Sequence, residues 1–116
     1  MFESYQYGSD LLNVSFDPSA ADEFASFAFA DEGSPAHKHD LIRDGILQRG
    51  LGGLTSQQPS GLKGVSNSRA CSWSRAPMDR MANINLEPGT PSFENLISTV
   101  ETGIYMQSNS SWSINY

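Results

Sequence analysis

Residues 69–105 constrain the fold most, because they join two strand-like runs, a turn and an amphipathic helix in one continuous unit. Residues 70–73 and 80–86 have the composition of strands and flank the turn-prone pair Ala76-Pro77. Alternate side chains of a strand point to opposite faces. In the second run this places Asn83 and Asn85 together on one face.

Residues 91–103 carry the sequence signals of a helix. Thr90 is a candidate N-cap, Pro91 suits the first helical position, and Glu94 lies in the first turn, where the helix dipole favours a carboxylate. Gly103 suits the left-handed C′ position. The apolar residues recur at helical spacing and form one stripe: Phe93, Leu96, Ile97, Val100 and Ile104. A helix this short gains little from propensity alone, so we expect it to pack on a sheet.

The strongest hairpin signal lies in the first half of the chain. Residues 39–43 and 46–49 flank Asp44-Gly45, a pair that suits the positive φ angles of a type I′ turn. Residues 24–30, FASFAFA, are expected to form another strand. Residues 50–67 are rich in glycine and predict a long loop, with a short helical turn near residues 51–54.

The chain ends in a strand-like pattern. Residues 112–116 alternate between large and small side chains, and the alternation continues to Tyr116. Because an open strand edge is an aggregation hazard, we expect the single domain of residues 1–116 to be a partial one.

Composition excludes several classes of function. The net charge is -6, and all seven basic residues lie between Lys38 and Arg80. An acidic chain without a basic stripe repels phosphate backbones, so we expect no nucleic-acid partner. No apolar run approaches 18 residues and no signal peptide is visible, so no membrane association is expected. Cys71 has no second cysteine to pair with, which fits a cytoplasmic location.

Six short segments resemble segments of the catalytic domain of TldD/PmbA-type peptidases, and they follow one another along the chain in the same order as in that family. The most informative is Arg80-Met81-Ala82-Asn83-Ile84-Asn85-Leu86-Glu87-Pro88-Gly89, which is similar to a family segment of the form RMTN-x-x-L-x-x-G. The others are Tyr7-Gly8-Ser9-Asp10, Asp31-Glu32-Gly33-Ser34-Pro35, Asp44-Gly45-Ile46-Leu47, Gly103-Ile104-Tyr105 and Ser111-Trp112-Ser113-Ile114.

The resemblance implies a zinc metallopeptidase domain that is built around curved β-sheets, acts on peptides and works as a homo- or heterodimer with another TldD/PmbA-type subunit. In active members two histidines of a His-Glu-x-x-x-His helix bind zinc, and the glutamate acts as general base. This chain lacks that motif. We therefore expect no cofactor in this chain, and zinc only in the full-length family domain.

Arg80, Asn83 and Asn85 are the candidate substrate-binding residues. Asparagine is depleted in strands, so two in one run need a reason. Hydrogen bonding to a peptide added as an extra strand is one reason, and stitching neighbouring loops together is an equal alternative.

Other polar residues are better explained by structure than by chemistry. His37 and His39 lack the further ligands that a metal site needs. Cys71 has no identifiable base nearby in sequence. Asp31 and Glu32 are neighbours in a turn, where capping is the expected role.

Together these patterns predict an α+β, strand-rich, mostly antiparallel curved sheet with one helix packed on it. The expected function is to supply sheet and peptide-channel wall to a TldD/PmbA-type metallopeptidase domain, without catalysis by this chain alone. Two alternatives stay open, a stand-alone peptide-binding or partner subunit and a structural remnant of a truncated gene.

Overall fold

A four-stranded antiparallel sheet organises the chain in the computed structural model, which describes residues 1–113. The elements of these residues are β1 (Val14–Phe16), β2 (His39–Arg43), β3 (Ile46–Leu47), α1 (Leu54–Ser60), β4 (Ser68–Arg69), β5 (Met78–Asp79), β6 (Ile84–Leu86) and α2 (Phe93–Ser98). The sheet order is β3-β2-β1-β6, while β4 and β5 form a separate hairpin. The predicted α+β class is confirmed.

The predicted hairpin is the connection between β2 and β3. Asp44 and Gly45 have φ angles of 49° and 73°, as a type I′ turn requires. A Cβ atom on Gly45 would also lie 2.5 Å from the carbonyl oxygen of Gly8. Glycine is therefore needed here both for its backbone conformation and for space.

The core is small and contains as many polar as apolar residues. Phe16, Leu41 and Val65 form the buried apolar cluster. Burying a polar group is costly unless it finds a hydrogen-bond partner. The hydroxyl of Ser66 donates to the carbonyl oxygen of Ser34 at 2.9 Å, and the amide of Asn67 donates to that of Arg80 at 3.1 Å. These polar contacts tie loops to one another.

The strand expected at residues 24–30 is absent from the structure. The hydroxyl of Ser26 instead donates to the carbonyl oxygens of Ala20 and Glu23, and the amide of Phe27 donates to the carbonyl oxygen of Pro18 at 2.9 Å. Only Phe29 makes an isolated bridge. These local bonds take up the backbone and side-chain groups that a strand would have left free for a neighbour.

The strands expected at residues 70–73 and 80–86 are shorter and displaced. In place of the first, β4 lies just before residue 70. Of the second, only β6 forms, and β5 ends just before residue 80. Between β5 and β6, the backbone N–H of Arg80 donates to Asn67 at 3.1 Å, and the guanidinium of Arg69 donates to the carbonyl of Met81. A loop and a side chain thus occupy backbone groups that a longer ladder would use.

The long loop at residues 50–67 contains more helix than predicted. The expected turn near residues 51–54 is the seven-residue helix α1, which starts at Leu54. It ends at Gly61, whose φ of 65° is left-handed.

The helix α2 is shorter than the predicted helix of residues 91–103. Ser92, not Thr90, is the N-cap, and its hydroxyl accepts from the backbone N–H of Asn95 at 3.3 Å. Glu94 lies in the first turn as predicted. The helix ends in a right-handed residue, Thr99, so the left-handed cap expected at Gly103 is wrong.

The apolar stripe of α2 does not pack on the sheet, contrary to expectation. Leu96 and Ile97 remain 52% and 47% exposed, and none of the helical residues is buried. The ring of Phe93, at the start of the helix, lies 5.4 Å from that of Tyr105. The strands β1 and β6 are each only three residues long, so the sheet offers no broad face to this helix.

The C-terminal strand expected at residues 112–116 lies partly outside the described residues. Trp112 and Ser113 are exposed and not in a strand. No helix of the described part reaches the length and apolar content needed to cross a bilayer.

Candidate functional site

The free edge of β6 is the candidate binding surface. The backbone N–H of Asp17 donates to the carbonyl oxygen of Asn83 at 3.0 Å, just before β6 begins. Hydrogen-bonded and non-hydrogen-bonded pairs alternate along an antiparallel ladder, so Ile84 and Leu86 occupy non-hydrogen-bonded positions opposite β1. Their backbone N–H and C=O groups therefore point away from the sheet, and nothing within residues 1–113 bonds to them.

Asn83 is the most deeply placed of the three predicted residues, with 7% of its surface exposed. Its amide nitrogen donates to the carbonyl oxygen of Asp17 at 3.0 Å and to the hydroxyl of Ser26 at 2.9 Å. Its amide oxygen accepts from the backbone N–H of Ala25 at 2.9 Å. These contacts match the alternative in which Asn83 stitches loops, and its contact with a peptide stays a prediction.

Asn85 and Arg80 point to different neighbours. The amide of Asn85 donates to the carboxylate of Glu23 at 2.8 Å, so it holds the same loop as Asn83. Arg80 is exposed, and its guanidinium lies 2.7 Å from the sulfur of Cys71. The side chains of the two asparagines therefore bond to the same loop, residues 23–26, whereas Arg80 contacts Cys71 at a separate place.

Two carboxylates that the sequence analysis did not pair converge on the start of α1. The N-cap Gly53 has no side chain to cap the helix, and its backbone N–H donates to Asp79 at 2.7 Å. The next N–H, of Leu54, donates to Glu32 at 2.8 Å. Burial raises the pKa of Asp79, but hydrogen bonds from the hydroxyls of Ser56 and Ser68 and from the Gly53 N–H outweigh it and lower the pKa.

These carboxylates satisfy free N–H groups at a helix start, which is a structural role. The role expected for Asp31 is similar, because its carboxylate accepts from the backbone N–H of Ala70 at 2.7 Å. No sequence signal pairs Glu32 with Asp79, because the two residues are far apart in the chain and meet only through folding.

The described residues do not fit a zinc centre. His37 and His39 lie with their ring centres 6.4 Å apart, in an edge-to-face arrangement. Nowhere in residues 1–113 do three or more His, Cys, Asp or Glu side chains come together as metal ligands. A structural or catalytic zinc ion needs three or four such ligands.

The fold is a small α+β arrangement in which an antiparallel sheet is accompanied by two helices. Residues 4–116 match the family model of the PmbA/TldA metallopeptidase C-terminal domain, so the chain belongs to this family. The predicted family resemblance is thereby confirmed.

Two bacterial relatives are named as metalloprotease TldD homologs. The chain is 32% identical over 97 residues to a metalloprotease TldD homolog of Buchnera aphidicola, covering 84% of this chain and 20% of the relative. It is 33% identical over 100 residues to the TldD homolog of Haemophilus influenzae, covering 86% and 21%. The chain thus spans about a fifth of the length of these curated relatives.

A solved archaeal structure supports the fold. TldE from Thermococcus kodakarensis superposes with a TM-score of 0.70 at 20% identity, covering 83% of this chain and 22% of that chain. At this identity the likeness concerns the fold alone.

Proposed function

We propose that this chain supplies sheet and part of a peptide-channel wall to a TldD/PmbA-type domain, and that it does not hydrolyse peptides by itself. The open backbone edge at Ile84 and Leu86 carries this proposal. An extended peptide binds such an edge by adding a strand, with main-chain hydrogen bonds for affinity and side-chain contacts for selectivity.

The side chains beside the edge suit this role. Leu86 is 70% exposed and offers an apolar contact to a peptide side chain. Ile84 packs against the core and holds the strand in place. Asn85 lies between them, on the opposite face. Arg80 precedes the strand, and its guanidinium would have to leave the sulfur of Cys71 to reach a peptide that extends past the start of β6.

Catalysis is assigned to residues outside this chain. Peptide hydrolysis by a metallopeptidase needs a metal ion that activates water and a base that takes the proton. The described residues bring no three metal ligands together. We therefore propose that the family's zinc, where present, binds elsewhere in the domain, and that a TldD/PmbA-type subunit provides it. The exposed free thiol of Cys71 is compatible with a reducing, cytoplasmic location.

Peptide binding to the edge can be tested with one proline substitution. The N–H of Leu86 points away from β1, so Leu86→Pro removes a donor from the edge and leaves the pairing with β1 intact. Leu86→Ala is the matched control, since it shortens the side chain but keeps the N–H. One hydrogen bond contributes about 0.5–1.5 kcal/mol, so we expect a peptide affinity roughly two- to tenfold weaker for Leu86→Pro than for Leu86→Ala.

The assay is fluorescence anisotropy with a capped, labelled peptide of alternating Val and Thr. A second peptide carries N-methyl groups on alternate residues, which block one backbone edge without any change in the protein. We expect the methylated peptide not to bind. Equal binding of both peptides, or no saturable binding of the first, would contradict the edge proposal. Zinc-dependent peptidase activity of the purified chain, abolished by a chelator, would contradict the non-catalytic part.

A second candidate function, a partner subunit, is favoured by the exposed stripe of α2. Its half-exposed residues Phe93, Leu96 and Ile97 form an apolar surface that a larger partner would cover. Co-purification with a TldD/PmbA-type subunit that has the His-Glu-x-x-x-His helix, lost in Leu96→Ser, is the expected result. If the chain is instead a structural remnant of a truncated gene, we expect the isolated chain to aggregate, or to unfold without a partner chain.

A further inference from the structure

A cationic cleft lies between β2 and the segment that follows β3. It has a volume of about 490 Å³ and opens to solvent. Its lining residues are Lys38, His39, Asp40, Arg43, Gln48 and Arg49. Three of the seven basic residues of this acidic chain therefore line one cleft, in which Asp40 is the only acid. The volume falls in the range of small-ligand sites.

Two of the three cations are already neutralised. The ammonium of Lys38 lies 2.9 Å from the carboxylate of Glu87, and also 3.9 Å from that of Asp17. The guanidinium of Arg43 lies 2.6 Å from the carboxylate of Asp40. These pairs fix the walls of the cleft and leave their cations little charge to offer a ligand.

Arg49 is the cation of the cleft that forms no ion pair within residues 1–113. The nearby carboxylate of Glu3, whose pKa is lowered first by Lys63 and only then by the charge of Arg49, is bonded to the ammonium of Lys63 at 2.9 Å. Within residues 1–113 no carboxylate oxygen lies within 4.0 Å of its guanidinium. Its one hydrogen bond, from Nη1 to the carbonyl oxygen of Gly64, is long at 3.4 Å. Its Nε is buried and has no acceptor. A buried charged donor without an acceptor is costly, so the arrangement is better suited to a state in which an acceptor is bound.

The remaining cleft residues are neutral donors near neutral pH. Burial lowers the pKa of His39, and the charges of Arg49 and His37 lower it further, against the opposing effect of Asp40. His39 is then an uncharged imidazole with one N–H. The amide of Gln48 donates to the carbonyl oxygen of Ile46 at 3.2 Å. The cleft thus contains one uncompensated positive charge beside neutral hydrogen-bonding groups.

We propose that this cleft binds a carboxylate through the guanidinium of Arg49. A guanidinium presents parallel N–H groups that match the two oxygens of a carboxylate. One free positive charge balances a monoanion, whereas a phosphate dianion would need a second one. The α-carboxylate of a peptide and the side chain of Asp or Glu share this chemistry. The site does not involve the β6 edge, so it stands or falls separately from the proposed function.

The test is a titration of the ¹⁵N-labelled full chain, followed through the Nε–Hε resonances of arginine and the ring resonances of His39. The probes are N-acetylglycine, its neutral analogue N-acetylglycinamide, and inorganic phosphate, all at constant ionic strength. We expect N-acetylglycine to shift the Arg49 Nε–Hε signal saturably, and the neutral amide to have no effect. Saturation by phosphate at lower concentration than by N-acetylglycine would overturn the carboxylate assignment.

Two variants distinguish the effect of the parallel N–H groups of Arg49 from the effect of its charge. Arg49→Lys keeps a cation but removes the parallel donors, so we expect at least tenfold weaker binding, read from the His39 ring. Arg43→Gln combined with Asp40→Asn removes a complete ion pair and leaves the net charge of the cleft unchanged, so we expect binding within about twofold of wild type. Equal losses in both variants would overturn the assignment to Arg49.

A final pair of probes identifies the source of the carboxylate. One is acetylated trialanine with a free C-terminus, and the other is the acetylated, amidated tripeptide Ala-Glu-Ala. Binding of the first alone assigns the site to peptide C-termini, and binding of the second alone assigns it to acidic side chains. Failure of both to shift Arg49 would overturn the proposal.

Discussion

Substituting Asn83 tests whether this residue stitches loops or serves a ligand. Asn83→Ala removes three hydrogen bonds, to Asp17, Ser26 and Ala25, from a nearly buried position. At about 0.5–1.5 kcal/mol each, they sum to roughly 1.5–4.5 kcal/mol. Because Ser26 is exposed and water can replace its bond, we expect a loss of unfolding free energy of about 2 kcal/mol.

The assay is urea unfolding followed by far-UV circular dichroism, since Trp73 and Trp112 are exposed and report poorly on the core. Asn85→Ala is the matched control, because it removes only the bond to Glu23 and should cost about 1 kcal/mol or less. Hydrogen exchange gives a local readout, in which the Ala25 amide should exchange at least tenfold faster in Asn83→Ala. A stability within 0.5 kcal/mol of wild type, with Ala25 exchange unchanged, would refute the stitching role.

Three further predictions concern the turn, the cleft and the helix. Gly45→Ala should destabilise the chain by more than about 1 kcal/mol in urea unfolding, whereas Gly33→Ala should cost less, because both have positive φ but only Gly45 lacks space for a Cβ. The folded-state pKa of His39 is lowered, so its stabilising contribution is present above the unfolded pKa near 6.5 and is lost as the pH falls below it. His39→Gln should therefore lose less stability than wild type between pH 7 and 5 in urea unfolding. Leu96→Ser should leave the unfolding midpoint of the isolated chain nearly unchanged, because Leu96 is half exposed, and a clear drop would show that α2 packs on the sheet after all.

Local patterns predicted the elements whose conformation depends on their own residues. The β2–β3 hairpin follows from Asp44-Gly45, since few other pairs adopt two successive positive φ angles. The presence of α2 and the position of Glu94 in its first turn follow from capping chemistry and apolar spacing. Its cap moved from Thr90 to Ser92, a shift within the usual uncertainty of helix ends.

Only part of the candidate site could be predicted from the sequence. The two asparagines at positions 83 and 85 were identified because their residue type is unusual in a strand, but their partners on the loop around Ser26 were not. The expected strand at residues 24–30 was wrong because Ser26 and Phe27 bond to nearby carbonyls instead of a ladder. The partners of Asn83 and Asn85 on this loop lie 57 and 62 residues away in the chain, so no periodic pattern in the sequence signals them.

The sequence by itself determined the family, the turn and the helix, since each depends on residues that are neighbours along the chain. Only the tertiary structure decided which groups are left without partners. Within residues 1–113 the outward backbone of β6 has no partner, because β6 lies at the end of the sheet order. Within the same residues Arg49 forms no ion pair, because the nearby carboxylates are paired with Lys38, Arg43 and Lys63. A charge or a backbone group becomes available for binding only when folding has assigned the partners of all the others.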